Sequence, residues 1–567
     1  MRINMKKLIY IIPAFALFAT VGCNKNLEEG PLENLDSSFI FDPVDKNGAY
    51  ADQFLNDIYG NMPNGWNRIG NAMLDAATDD AVPSMRGSAI EDLRFGRIDP
   101  FGNPDDVWTS RYTQIRKVNV FLANIDKVPM EVETKGYWKA EARFLRAFSY
   151  FELLKRYGGV PLMGDRIGTL ADDLQLPRNT FSDCVAYITA ELDAIKPLVR
   201  QFPASGGDYG RITNTAVLAL QSRLHLYAAS PLFNAGNLAT ENKELTGYAD
   251  VADAAVRARW QKAADVSKEL LDLNVHIIEP NNRYINVFIT RDSKEIILSY
   301  LRANTSDVEQ NNGPVGFTQH GHRGYTSPTE ELAQSFRMTN GKLITDPTSG
   351  YNPDKPNVGR DVRFNNVFFF NGSKWMRRTV ETYEGGLDRP GGNRTQTQTG
   401  YYLRKFMYNA ETATSLGAQP HNFPLFRYAE VYLNYAEALT ETLENDADNP
   451  TQAAADALNK IRARGNIGNV SRTSVTKTQM RDLIRQERRV ELCFEEHRYW
   501  DIRRWKIAKD VLNGSLHGNS IIRNDDGTFT YTPMAIAQMA FLDRMYLYPI
   551  PQAELYRNRN LKQNPRW

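Results

Sequence analysis

The sequence predicts a mostly α-helical protein in which a right-handed superhelix of tetratricopeptide-like helix pairs carries long irregular loops and small β elements. Three observations lead there: long segments with apolar residues at helical spacing, Gly and Pro stops where those segments end, and intervening stretches rich in Gly, Asn, Pro and Thr, above all residues 303–399.

In residues 137–157 the apolar positions are Ala140, Phe144, Ala147, Phe148, Phe151 and Leu154, and in residues 213–229 they are Val217, Leu220, Leu224, Tyr227 and Ala228. Steps of three and four place each set on one helix face. Similar stripes occupy 108–125, 260–273 and 428–439, and helical patterns cover 183–194 and 480–500. Gly158-Gly159-Val160-Pro161 stops the first of these helices and Pro231 stops the second. Asn449-Pro450 reads as a cap opening a helix that Gly465 closes, and Thr476 with Gln479 has capping-box spacing. The pairs are scattered and follow no strict repeat. Short β elements are expected at 295–301, at 367–370 and around the Asp526-Gly527 turn. Loops as long as 303–399 are uncommon unless they are functional, and rigid scaffolds present binding residues on loops.

A 42% hydrophobic and 24% charged composition over 567 residues is that of a folded globular protein. The formal net charge of +1, with basic and acidic residues mixed throughout, supplies no field for nucleic acid. Aromatic residues make up 11% of the chain, enough to fill the core and leave some for a ligand site. Cys184 and Cys493 fall in helical patterns and read as free buried thiols, with a disulfide between them left open.

The N-terminus reads as an address. Arg2, Lys6 and Lys7 precede an apolar run over residues 8–19, too short for a membrane span and suited to a secretory signal peptide. The run ends in Thr20-Val21-Gly22-Cys23, which resembles a bacterial lipobox, with Thr20 departing from the usual Leu. Residues 1–22 are therefore expected to be removed and Cys23 acylated, so that the chain is anchored to a membrane without spanning it. Residues 24–29 form a polar tether that resembles the surface-export signal of Bacteroidetes lipoproteins.

Catalytic signatures are missing: there is no G-x-S-x-G elbow, no phosphate loop and no H-E-x-x-H. His320 and His322 lack a third ligand nearby, so no metal or other cofactor is expected. Glu487, Glu491 and Glu495 recur every four residues, but Arg485, Arg488, Arg489, Arg498, Arg503 and Arg504 surround them, and a charge-paired structural network is the simpler account. His497 has Phe494, not Glu, three positions before it, so the helical di-iron pattern fails.

Several stretches, in this order behind a lipobox, resemble the RagB/SusD family of Bacteroidetes nutrient-binding lipoproteins. They are Trp108-Thr109-Ser110-Arg111-Tyr112, residues 139–161 (KAEARFLRAFSYFELLKRYGGVP), 427–439 (RYAEVYLNYAEAL), 458–464 (LNKIRAR), 487–505 (ERRVELCFEEHRYWDIRRW) and 548–567 (YPIPQAELYRNRNLKQNPRW). Glu496 stands where the family usually has Gly, and Arg566-Trp567 replace its usual ending. The resemblance implies one SusD-like domain over residues 23–567, with an N-terminal part to 230 and a C-terminal part from 231 that carries the long loops. It also implies a surface-exposed outer-membrane protein, not an enzyme, that captures a glycan for a SusC-like TonB-dependent transporter. Peptide capture and a surface glycan hydrolase are the alternatives. The family's ligand residues vary, so the ligand-binding candidates come from loop chemistry: Trp66, Arg86, Tyr325, Trp375 and Tyr383, exposed aromatics and a cation able to meet the C–H faces and hydroxyls of a sugar.

Overall fold

The computed structural model describes residues 37–567 apart from 170, 204–205, 235–241, 319–320, 392–394 and 409. The expected signal peptide, Cys23 with its tether, and His320 lie outside the described residues.

The helices stack in sequence order. Trp108–Asn124 packs on Val132–Tyr157, which packs on Phe181–Ile195, and Asn214–Ala229 packs on Asp253–Asp272. The stack then resumes far along the chain. Asp253–Asp272 packs on Tyr428–Glu441, which carries Gln452–Gly465 and Lys477–Glu491 on its other side. Residues 273–427 thus leave the stack and return to it, and they hold most of the irregular structure. Within them, Ile296–Tyr300 pairs antiparallel with Phe423–Arg427, so the excursion closes on itself where it re-enters the helices. One apolar core runs from Phe41 to Leu561 and joins the helices to this excursion.

Local signals explain most boundaries. Val132–Tyr157 ends at Gly158, whose φ of 77° suits glycine. Thr476 and Gln479 form the expected capping box. The Asp526-Gly527 turn joins Ser515–Arg523 to Phe529–Gln538, with Gly527 at φ 84°. Two expectations fail. Asn449-Pro450 does not open a helix; Thr451 does, its hydroxyl accepting from the Ala454 amide at 3.2 Å. Residues 480–500 are not one helix either. Lys477–Glu491 stops, Phe494 and Glu496 adopt left-handed backbone, and His497–Arg504 begins afresh. The Phe494 amide donates to Asp75 Oδ1 at 2.7 Å and its ring is fully buried, so tertiary contacts override helix propagation there.

The acidic helix is charge-paired, but mainly with partners other than its sequence neighbours. Glu491 accepts from Arg363 at 2.7 Å, Arg427 at 2.8 Å and Arg464 at 2.5 Å. Glu487 takes Arg363 at 2.6 Å, and Glu495, beyond the helix end, takes Lys405 and Arg427 at 2.6 Å each. Arg363, Lys405 and Arg427 all belong to the 273–427 excursion, so this buried network bolts the loop-bearing region to the scaffold. The neighbouring arginines turn elsewhere: Arg488 and Arg504 to Asp501 and Glu437, and Arg489 and Arg498 to Asp79. Cys184 and Cys493 are free and buried, and burial pushes both thiols up to about 12.

Candidate functional site

The five loop candidates do not converge on one surface. Trp66 is only 5% exposed, held edge-on by Phe406, His421 and Phe423 at 5.5–6.2 Å. Gly65 beside it is required by that packing, since a Cβ there would meet the Phe423 ring at 1.8 Å. Trp375 is completely buried among Phe317, His322 and Phe369, and its Nε1 donates to the Tyr408 carbonyl at 3.2 Å. Both tryptophans are core. The expectation of exposure fails because Trp66 joins the main apolar core and Trp375 a separate apolar cluster within the irregular segments.

Arg86 and Tyr325 do come together. Ala81–Pro83 pairs antiparallel with Thr326–Pro328, the Ser84 amide donates to the Tyr325 carbonyl at 3.0 Å, and exposed Arg86 and half-buried Tyr325 share one end of that ribbon. Tyr383 sits apart, against Phe529 of the 515–538 hairpin at 5.5 Å. Among the described residues no group of three or more His, Cys, Asp or Glu is arranged to hold a metal ion.

The surface best suited to a sugar ring is a cleft of about 230 Å³ whose walls carry Tyr59, Tyr209 and Tyr300, with Asn56, Arg211 and Ser299 among its polar groups. Three elements build it. The helix Ala49–Gly60 supplies Asn56 and Tyr59, the Gly-rich loop before Asn214–Ala229 supplies Tyr209 and Arg211, and the strand Ile296–Tyr300 supplies Ser299 and Tyr300. Gly210, at φ 87°, lets the loop close on the strand exit, because a Cβ there would strike Leu301 Cδ1 at 2.3 Å.

The polar groups behind the cleft are fixed before any ligand arrives. The Tyr59 hydroxyl donates to Glu141 Oε2 at 2.9 Å and accepts from the Ile212 amide at 3.1 Å. Arg211 lies over the Tyr59 ring at 5.4 Å, held by Asp52 at 2.5 Å and Glu141 at 3.3 Å. Burial raises Glu141 to about 6 despite the opposing pull of Arg211 and Arg200. Tyr209 is 41% exposed and presents a ring to solvent. Asp52 and Glu141 are thus committed to Arg211, and the cleft lining itself offers aromatic rings, an amide and hydroxyls. Those groups are of the kind that suits a polyhydroxylated ring.

The sequence signal for Tyr209 was present: an aromatic in the run Gly206-Gly207-Asp208-Tyr209-Gly210-Arg211, the same kind of context that singled out Trp66. It lies outside the long loop region 303–399. Trp66 itself acts one layer behind the cleft, where its ring supports Arg302, the residue after cleft-lining Leu301.

Comparison with known proteins agrees with this architecture. A family model described as the SusD family matches residues 294–567, and a second, described as "Starch-binding associating with outer membrane", matches residues 49–226. The chain is a SusD-like protein of the RagB/SusD family. It is similar to a SusD-like protein of Formosa agariphila, 26% identical over 422 residues that cover 72% of this chain and 74% of the relative. A SusD-like protein of Bacteroides ovatus is 25% identical, with 79% and 76% covered. Among solved structures, a SusD-like protein of Bacteroides fragilis superposes with a TM-score of 0.77 at 26% identity, over 94% of this chain and 98% of that one. A structure described as a laminarin-binding SusD-like protein shares the fold at 20% identity, with a TM-score of 0.61 over 92% of this chain and all of its own. The cleft draws Tyr59 and Tyr209 from the stretch matched by the second family model and Tyr300 from the stretch matched by the first.

Proposed function

We propose that this SusD-like protein is a surface-exposed, lipid-anchored outer-membrane protein that binds glycan chains without cleaving them and passes them to a SusC-like TonB-dependent transporter. The observation that carries the reading is the tyrosine cleft: aromatic faces beside fixed polar groups, with the nearby carboxylates locked in ion pairs. Its volume of about 230 Å³ lies below the roughly 300–1,000 Å³ of pockets that engulf a drug-sized ligand. The cleft therefore takes one ring of a longer chain and leaves the rest outside, as capture for hand-over requires. The names of relatives point the same way, since a Bacteroides fragilis SusD-like structure is described as carbohydrate binding and another relative as laminarin binding. The family description also supports association with the outer membrane. Attachment is assigned to Cys23.

The test is titration of the chain from residue 24 onward against soluble neutral polysaccharides and a peptide mixture, with product analysis after long incubation. Saturable glycan binding without shortened products is expected. Peptide binding alone, or release of oligosaccharides at an enzyme-like rate, would overturn the reading.

A further inference from the structure

A second cavity, of about 430 Å³, opens within the helical stack and shares no lining residue with the tyrosine cleft. Asp253–Asp272, the end of Tyr428–Glu441 and the first part of Lys477–Glu491 form its walls, with Trp505 among them. Helical spacing directs the side chains. Val256 and Trp260 are four residues apart, as are Glu437 and Glu441, while Lys477, Arg481 and Arg485 form a row at the same interval.

Three cations in a row on one helix face repel one another, and two of them are answered. Arg481 holds Glu441 at 2.5 and 2.8 Å. Lys477 donates to the Leu443 carbonyl at 2.7 Å and lies 4.0 Å from the same glutamate. The other acids of the cavity are also committed: Glu437 accepts from Arg504 at 2.5 Å and from Trp505 Nε1 at 2.7 Å, and Glu444 faces Arg257 at 3.4 Å. Asp253 is exposed at the first turn of its helix, where the helix dipole favours an acid. Arg485 is the cation left over. Its Nε is buried without a hydrogen-bond partner, it forms no ion pair among the described residues, and its guanidinium lies 5.0 Å over the Trp505 ring. Burial also pushes its pKa down from the usual arginine value. A half-buried guanidinium with unused donors is a carboxylate receptor, because its planar fork takes both oxygens at once.

We propose that this cavity binds a single hexuronate unit, with the sugar carboxylate on Arg485. The ligand class follows from the rest of the lining. Half-buried Val256 and Leu443 offer apolar surface for the C–H face of a ring, and buried Trp260 packs in the same wall. The carboxylates of Glu441 and Glu444 retain lone pairs that accept from sugar hydroxyls. The same acids repel phosphate or sulfate, which carry more charge than one guanidinium offsets, and they leave an aliphatic acid without partners. An ammonium group gains little, because three of the four acids already hold a cation. The volume falls within the range of a small-ligand pocket. The inference rests on the glycan-binding reading and adds acidic sugars to its substrate class.

Calorimetric titration of the soluble chain with D-glucuronate and D-galacturonate, against D-glucose and inorganic phosphate, tests it. One or both uronates should bind at least tenfold more tightly than glucose or phosphate. Arg485→Gln should lower that affinity by tenfold or more, and Tyr209→Ala should leave it unchanged. Arg257→Glu, at the exposed rim, should also weaken uronate binding by adding a negative charge at the mouth, and it does so without touching the core should Arg485→Gln fold poorly. Uronate binding no tighter than glucose, phosphate binding as tight as uronate, or uronate binding that survives both substitutions would overturn the proposal. Failure of the tyrosine-cleft reading is a separate result, seen as neutral-glycan binding that is absent or indifferent to Tyr209→Ala.

Discussion

Arg302 lies over the face of Trp66, its guanidinium carbon 4.1 Å from the ring centroid, and grips Asp307 with two hydrogen bonds of 2.8 and 2.6 Å. This stack fixes the chain where it leaves the Ile296–Tyr300 strand, immediately beside cleft-lining Leu301. Trp66→Ala should therefore act on stability first, by about 3–5 kcal/mol as for a buried Trp. Denaturant titration should show that loss together with weakened glycan binding. Trp66→Phe should recover most of both, since it keeps a ring under Arg302. Unchanged stability in Trp66→Ala would contradict the core placement.

Tyr209 should behave in the opposite way. Its ring is exposed at the cleft, and removing an aromatic anchor from a binding site typically costs about 2 kcal/mol, roughly thirty-fold in affinity. Tyr209→Ala should show that loss by calorimetry with its thermal midpoint unmoved. Tyr209→Phe should bind nearly as well as the native chain, because stacking uses the ring face.

Acid should unfold this protein through its buried carboxylates. Burial alone would raise Glu437 and Glu152, but the charges of Arg504 and Arg488, and of Lys155 and Arg156, outweigh it and hold each at about 2. Glu491 is driven lower still by Arg464, Arg427 and Arg363. A carboxylate whose folded pKa is depressed stabilises the fold fully above its unfolded value of about 4.3, and that stability disappears as pH falls toward the folded pKa. The stability that these three carboxylates contribute should thus be steady above pH ~5 and fall steeply between about 4.5 and 2, while Glu141, raised to about 6, works in the opposite sense as pH rises through that value. Glu437→Gln should flatten that slope and destabilise the chain at neutral pH by about 3 kcal/mol, because Arg504 and Arg488 lose one of their two buried carboxylates and share only Asp501. An equal pH slope in mutant and native protein would show that Glu437 is not one of the groups responsible.

The scaffold was legible in the sequence because each helix carries its own signals. Apolar stripes, Gly158 and the Thr476 capping box report locally on what the backbone does. The break at residues 492–496 was not legible, because it is made by Asp75, hundreds of positions away, accepting from the Phe494 amide. The partners of Glu491 were hidden for the same reason: Arg363, Arg427 and Arg464 reach it from other elements, while the arginines adjacent in sequence turn away. Trp66 and Trp375 look exposed in a string of turn residues and are covered by Phe423 and Phe369, contacts that the turn pattern does not reveal. Tyr209 becomes a site residue only once the strand ending at Tyr300 is laid beside it.

Glu496 tests how a local strain is offset by a distant partner. Its φ is 63°, left-handed backbone that a non-glycine residue adopts at a cost of about 1–2 kcal/mol. Its carboxylate is gripped by Arg68 through Nε and Nη2, and Arg68 also holds Asp105 at 2.5 Å. Glu496→Gly should relieve the strain while losing the ion pair, leaving stability within about 1 kcal/mol of native. Glu496→Gln keeps the strain and loses the charge, so it should be the less stable of the two in denaturant titration. The reverse order would mean that the backbone at this position is unstrained.

Attachment to the membrane should depend on Cys23 alone. No helix among the described residues is long and apolar enough to cross a bilayer. Each buried methylene contributes about 0.8 kcal/mol, and two or more chains make release negligible. Cys23→Ala should therefore abolish incorporation of labelled palmitate and move the protein from the outer-membrane fraction to a soluble one. Its affinity for glycan in solution should be unaffected, since the tyrosine cleft is lined by residues between Asn56 and Leu301. Presence or deletion of the proposed transporter separates two modes of retention. If the Cys23→Ala protein still labels at the cell surface when the transporter gene is deleted, lipid anchoring at Cys23 is refuted. If it does so only when the transporter is present, the anchor stands and a direct contact between the two proteins is demonstrated as well.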